Sequence, residues 1–332
     1  MIQRPTRRAP GSRALSWDAV SVILLAAVLA IAIATSTHAA EGGGSHYSPG
    51  FYGDFGVALA PDPGFALRND FYYYSGDASG RRVVQNGELR ADIEADTYMY
   101  MATGLMTLDK EFLGGRYAFG AFLPVLSSSV SGSVVLDPLD ADPETVAFDA
   151  SRTGFSDLGL IPASIFWNAG NFHFNAYEVI IVPTGSYNVN RDVNTGLNYW
   201  SFDTVLATTW FQPDRGHEVS AVLGYIFNTE NSATEYKTGQ EFHLDYMLNQ
   251  FFSETFALGL HGFYYKQVTG DSGSGALLGD FKGEGAGIGP AAMLATKAGD
   301  TDIVISARWI HEFLAEHRLE GNNFYLSLTL AF

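Results

Sequence analysis

His243 and Asp245 stand two residues apart, with Asn249 in the same alternating set, and His173 and Asn175 repeat the spacing. On an extended chain such neighbours project to one side, so each pair could begin a metal site or a general-base site. Spacing places no third histidine or carboxylate beside them, and neither Gly-x-Ser-x-Gly nor His-Glu-x-x-His occurs. Polar residues lining a water-filled interior are the commoner use, so no catalytic residue, metal or cofactor is assigned and the chain is not read as an enzyme. A second group is denser: Glu88, Arg90, Asp92, Glu94 and Asp96 alternate with Leu89, Ala91, Ile93 and Ala95, giving one charged face and one apolar face. The acidic stretch Asp137 to Glu144 lacks the ordered oxygen spacing of a calcium loop. Gly270 to Gly275 lacks the lysine and following helix of a phosphate loop.

The elements that must position these residues are strands. In the last ten residues Phe324, Leu326, Leu328, Leu330 and Phe332 share one face and Tyr325, Ser327, Thr329 and Ala331 the other, which is the pattern that separates lipid from a watery lumen. The alternation recurs at 242–249 and 303–313, where Arg308 and Glu312 fall on the polar side. Further candidates lie at 51–60, 66–75, 97–106, 115–126, 128–136, 155–167, 171–183, 199–211, 217–228, 253–266 and 284–297. Glycine and aromatic residues are abundant, 36 Gly, 17 Tyr and 24 Phe, and no amphipathic helix persists past two turns. The expected fold is therefore all-β, a transmembrane antiparallel β-barrel of about 12 to 14 strands, since single-chain bacterial barrels take even numbers. The stretches 137–153, 184–198 and 267–282 read as extracellular loops, and the tight turn Gln212 to Gly216 as periplasmic.

The N-terminus sets the compartment. Arg4, Arg7, Arg8 and Arg13 precede the apolar run Val20 to Ala34 and the small residues before Ala40; at about 15 residues the run is short of the roughly 20 that cross a bilayer as a helix. A cleavable signal peptide over 1–40, a short periplasmic segment over 41–50 and a barrel over 51–332 in the outer membrane of a Gram-negative bacterium follow. The whole chain carries a formal charge of −17, and losing those arginines makes the remainder more acidic, which argues against nucleic acid as a partner. The lumen candidates are Glu88, Arg90, Asp92, Glu94, His243, Asp245, Asn249, Arg308 and Glu312. Gly283, Gly285, Gly287 and Gly289 leave one face of a strand bare, for a bend or for close approach of another segment or ligand.

Several loop motifs, in order, carry a resemblance to a known family: Gly154-Phe155-Ser156-Asp157-Leu158-Gly159, Pro183-Thr184-Gly185-Ser186-Tyr187, Asn194 to Ser201 with Trp200, Tyr236 to His243, Gln267 to Gly273 with Asp271, and Gly287 to Pro290. The chain resembles the phenol meta-pathway family of outer-membrane transport proteins and is distantly similar to fatty-acid and aromatic-hydrocarbon channels. That resemblance implies a barrel for passive uptake of small hydrophobic or aromatic compounds, in contact with outer-membrane lipid and lipopolysaccharide and inserted by the barrel assembly machinery. The motif positions Asp157, Pro183, Gly185, Tyr187, Trp200, Gln267 and Asp271 are its candidate functional loop residues, and Tyr187 with Trp200 could form an aromatic entry site. The charged face around Glu88 to Glu94 suggests an alternative, a general or cation-preferring diffusion porin. A lipid-acting outer-membrane enzyme using His243 is a remoter one.

Overall fold

The computed structural model describes residues 44–84, 87–138, 143–276 and 282–332. The signal peptide expected over 1–40 lies outside the described residues, as does the centre of the acidic loop, 139–142.

Among the described residues thirteen strands form one antiparallel sheet: β1 (Gly64–Val84), β2 (Gly87–Phe112), β3 (Gly115–Pro138), β4 (Glu144–Phe155), β5 (Leu158–Ala169), β6 (Phe172–Val182), β7 (Ser201–Gln212), β8 (His217–Asn228), β9 (Glu241–Ser253), β10 (Phe256–Gln267), β11 (Glu284–Ala298), β12 (Thr301–Glu316) and β13 (Glu320–Ala331). β1 pairs with β13 and β3 with β5, so the sheet closes on itself through twelve strands, with β4 outside the ring. The odd strand resolves the parity expected of such barrels. Closure leaves no edge within the ring, as hydrocarbon demands of backbone N–H and C=O groups.

Alternation explains the faces. On β13, Tyr325 and Ser327 are buried while Phe324 and Leu326 are exposed, as the terminal pattern predicts. Phe65 and Phe332 stack at the end with the short turns, and Phe71, Tyr73, Tyr98, Trp309 and Phe324 form a second outward aromatic belt. The polar tips of the upper belt find partners, Tyr73 on Asp96 and Trp309 on Asn322, as interfacial aromatics should.

β1, β2 and β3 run 21, 26 and 24 residues, about twice the 9 to 11 that span a bilayer. Their far halves, with β4, extend beyond the upper belt, which is why pairs of strand candidates such as 115–126 and 128–136 merge into single strands. β4 itself falls mostly in a stretch expected to be loop. β3 changes partner along its length: Arg116 to Phe122 pair with β5, and Val125 to Leu136 with β4. At Ser156-Asp157 the chain steps from β4 to β5, and this step in the wall is held to β3 by Ser156 N, which donates to the Pro124 carbonyl at 2.9 Å.

The candidate strand over 51–60 is not a strand. Residues 44–63 run inside the barrel from near its upper end to Gly64 at the lower end, so the expected tail and first strand are a plug. Pro49, Gly50, Gly53, Gly56, Pro61 and Pro63 are too dense for a ladder, and the aromatic residues between them pack on the inner wall. Tyr47 sits with Ile226, Phe263, Tyr265 and Ile310, and Ala58 with Val205, Ala207, Val222 and Met247. Burial of each large side chain stabilises the plug by about 1.5–3 kcal/mol.

Candidate functional site: the plugged lumen and its loop gate

The plug is held by the inward polar residues of the strands. His243, fully buried, lies between the rings of Tyr47 and Tyr52 at centroid distances of 4.5 and 4.6 Å. Its Nε2 is 3.1 Å from Asp203 and its Nδ1 3.4 Å from Asp245. The tyrosine hydroxyls complete the group, Tyr47 donating to Asp245 at 3.1 Å and Tyr52 to Asp203 at 2.5 Å. The imidazole is fully enclosed by these partners, so this constellation anchors the plug and does not present a base to a substrate. Among the described residues no group of three or more His, Asp or Glu is arranged to hold a metal ion.

Below it, Arg308 donates to the carbonyl of Gly50 at 3.1 Å and lies 4.4 Å over the ring of Tyr325, whose hydroxyl donates to the carbonyl of Pro49 at 2.7 Å. Gly50 has φ +79, and a Cβ there would meet Ile310 at 2.3 Å. Lower still, Arg68 joins Asp54 of the plug to Asp70 of β1. Burial opposes ionisation of Asp54, but Arg68, Arg308 and the Phe55 N–H outweigh it and hold the carboxyl down at about 2. Glu218 accepts from Gly56 N and Thr209 from Ala58 N, at 2.9 and 3.2 Å. Asn249 accepts from His261 on the same inner surface, at 2.8 Å.

Glu312, also fully buried, accepts from Gly321 N and Asn323 at 3.0 and 3.1 Å and lies 3.4 Å from Arg318. Thus His243, Asp245, Asn249, Arg308 and Glu312 point inward, where they meet the plug or one another. Arg90, Asp92 and Glu94 do not. Ala95 and its partner Val130 line the interior, so the alternate set containing the charges points outward. This corrects the lumen assignment: Arg90, Asp92 and Glu94 lie above the aromatic belt, where water bathes the outer surface too. The side chain of Glu88 lies outside the described residues.

The bare glycine face on β11 serves close packing. A Cβ on Gly287 would lie 2.6 Å from Phe263 and one on Gly289 1.8 Å from the Trp309 carbonyl oxygen, and the register slips at Ala286/Gly287. The missing side chains leave room for Phe263 and Ile310 against the plug.

The motif residues of the loops form two knots. Asp157, at the step in the wall, accepts from Gly185 N at 2.8 Å and Leu197 N at 2.7 Å and lies 3.1 Å from Nε2 of His46 on the plug. Gly185 and Gly196 touch so closely that a Cβ on Gly185 would sit 2.6 Å from Gly196 Cα. After Pro183 ends β6, one carboxylate therefore ties residues 183–200 inward and ties them to the plug. Tyr187 of this loop faces the interior and its hydroxyl accepts from Asn231 at 2.9 Å. Trp200 is exposed and stacks on Phe202, so the two aromatic residues do not form the joint entry site expected of them. In the second knot Gln267 and Gly239 N both donate to Asp271, at 2.6 and 3.0 Å, and Tyr236 donates to its other oxygen at 2.6 Å. Between plug, gate loop and the β1–β3 wall lies a cavity of about 530 Å³, with Tyr72, Met99, Met101, Leu126 and Tyr187 on one side and His46, Asp157 and Arg318 on the other.

A family model described as "Putative MetA-pathway of phenol degradation" matches residues 75–328. Among solved structures, the crystal structure of the COG4313 outer membrane channel from Pseudomonas putida F1 is similar at TM-score 0.61 and 15% identity, covering 84% of this chain and 99% of that one. A Pseudomonas aeruginosa FadL homologue aligns at TM-score 0.40 and 8% identity over 82% of this chain and 90% of its own. No curated protein sequence matches.

Proposed function

The chain belongs to the phenol-degradation family whose model spans most of it, and from that premise we propose that it is an outer-membrane channel for passive uptake of small hydrophobic or aromatic compounds. The observation that carries the proposal is the position of the cavity. It lies under the gate loop, beside the β4–β5 step at Ser156-Asp157, and its wall side is built from Met99, Met101, Phe122, Leu126 and Tyr72. A solute there meets apolar side chains and a seam where β3 changes partner, so apolar cargo leaves sideways past Asp157 and does not cross the deeper plug anchors around His243, Arg308 and Arg68.

The similar Pseudomonas putida protein is described as an outer membrane channel, and the barrel with its two aromatic belts supports the same location for this chain. The diffusion-porin alternative is disfavoured because the plug fills the lumen with buried, mutually bonded groups. The enzyme alternative loses its base, since His243 is enclosed by Tyr47 and Tyr52. On this reading the outward apolar band meets outer-membrane lipid, the charged outer surface above it meets lipopolysaccharide, and the assembly machinery inserts the barrel through its last strand.

The test is uptake of labelled toluene and of labelled glucose at limiting concentration, by cells that lack or express the protein. Faster toluene entry with unchanged glucose entry is expected. Equal gain for both, or none for toluene, refutes the channel described.

A further inference from the structure

Where the long strands pass the upper aromatic belt, the binary pattern inverts. Within the membrane β1 and β2 are apolar outside, with Phe71, Tyr98 and Tyr100 exposed, and polar or mixed inside. Beyond it the outside carries Asp77, Arg90, Asp92, Glu94 and Asp149, and among the described side chains the inner rows from Ala91 to Ala95 are apolar, down to Arg152, which shares the inner face opposite Ser128. Directly opposed residues of antiparallel strands share a face, so the register fixes the inner set. Ala78 pairs with Ile93, which pairs with Gly132, which pairs with Phe148; Ala91 pairs with Val134, which pairs with Val146. A Cβ on Gly132 would lie 2.7 Å from Phe148 Cζ, so the absence of a side chain there lets the ring lie flat across the pair. Ile93 is 8% exposed, but Val146 and Phe148 are 56% and 41% exposed. A sheet with one apolar face ordinarily covers it, and here the face stands open at its β4 side.

We propose that this inner face, from Ile93 and Val134 to Val146 and Phe148, is an extracellular binding surface for small apolar molecules, which slide from it into the cavity below. The occupant follows from continuity. Ala95 and Val130, one alternate position below Ile93 and Gly132, line that cavity, and Met99 and Leu126 continue the same face downward. The apolar surface therefore reaches the mouth of the cavity at Ala95 and Val130; below these, Thr97 and Ser128, with Arg152 opposite Ser128, precede the apolar wall of Met99 and Leu126. The charges turned outward keep the extension in water and out of lipid, which holds the apolar face above the bilayer, where a solute arrives. The surface rests on the channel reading for its purpose but not for its ability to bind.

The chain has no cysteine, so one introduced thiol reports one place. Full-length Phe148→Cys and Ala147→Cys, on opposite faces of β4, would be labelled with bimane in phosphatidylcholine vesicles and titrated with bromobenzene, a heavy-atom quencher. Saturable loss of emission at 148, against only the shallow linear loss of membrane partitioning at 147, is expected. The same linear loss at both positions overturns the proposal. So does disulfide formation between two Phe148→Cys chains, which would make the face an interface between copies. In the uptake assay Val146→Glu/Phe148→Glu should slow toluene entry about tenfold, since an unpaired carboxylate on an apolar path costs more than 1.4 kcal/mol, while Thr145→Glu/Ala147→Glu should not. Toluene uptake by wild type that the inner pair leaves unchanged removes the surface from the route and overturns the proposal. Saturable quenching at 148 with no wild-type uptake removes the channel reading and leaves the surface standing.

Discussion

Asp54 shows how a single plug carboxylate couples barrel occlusion to pH. Its carboxyl is held at about 2 from a usual value of 3.8. A depressed acid stabilises the folded arrangement fully above its unfolded value and loses that contribution as the pH falls toward the folded one. The plug should therefore lose about 2 kcal/mol of anchoring between pH 4 and 2; single-channel recordings should show openings that become frequent over that window. Asp54→Asn should show them already at neutral pH, and a pH-independent wild type would remove Asp54 from the anchor. Gly185 gives a second residue-scale expectation. A methyl there collides with Gly196, and overpacking of this kind costs about 1–3 kcal/mol, so Gly185→Ala should loosen the gate loop and speed tryptic cleavage after Arg191, which lies exposed in that loop. Cleavage at the wild-type rate would show that the two glycines can separate freely. Of the two, Asp54 was hidden in a stretch that read as a strand, and Gly185 was legible in part. Gly185 and Asp157 stood out as motif positions, but sequence spacing could not show that the carboxylate binds two N–H groups 28 and 40 residues further along the chain.

At the scale of elements, alternation located strands and failed to choose faces. The periodicity of 88–96 separates charges from apolar residues without saying which set meets the lumen, because above the membrane both surfaces are wet. The same periodicity in 323–332 was decisive because lipid admits one answer. The plug escaped for a different reason: Tyr47, Phe51, Tyr52 and Phe55 mimic strand composition, and only the spacing of prolines and glycines among them argued against a ladder. The plug's weight can be measured. Replacing residues 44–61 by a Gly/Ser linker of equal length removes Tyr47 and Tyr52 from His243 and Asp54 from Arg68, and should raise single-channel conductance well above the wild-type level. The closed ring should survive, because every strand pairing lies outside the deleted stretch; a barrel that no longer resists heat in detergent would show the plug to be part of the fold's core.

For the whole molecule, the question is which charges a passing ion would feel. The sequence suggested the face around Glu88 to Glu94, and the register turns Arg90, Asp92 and Glu94 outward. The interior nonetheless carries Asp70, Asp203, Glu218, Glu241, Asp245 and Glu312 against Arg68, Arg308 and Arg318. In a narrow low-dielectric lumen this excess of carboxylates focuses a negative potential. With the plug replaced by linker, Asp54 is lost but so are the hydroxyls and ring faces that hold Asp203, Asp245 and His243 together, and the pore should favour cations over anions. Reversal potentials across a planar bilayer under a salt gradient measure this directly. Arg90→Gln/Asp92→Asn/Glu94→Gln should leave the reversal potential where it was, whereas Asp203→Asn/Asp245→Asn should move it toward zero. If the outer triple variant moved it instead, the inversion of faces above the aromatic belt would be wrong, and with it the apolar track from the outer surface to the cavity.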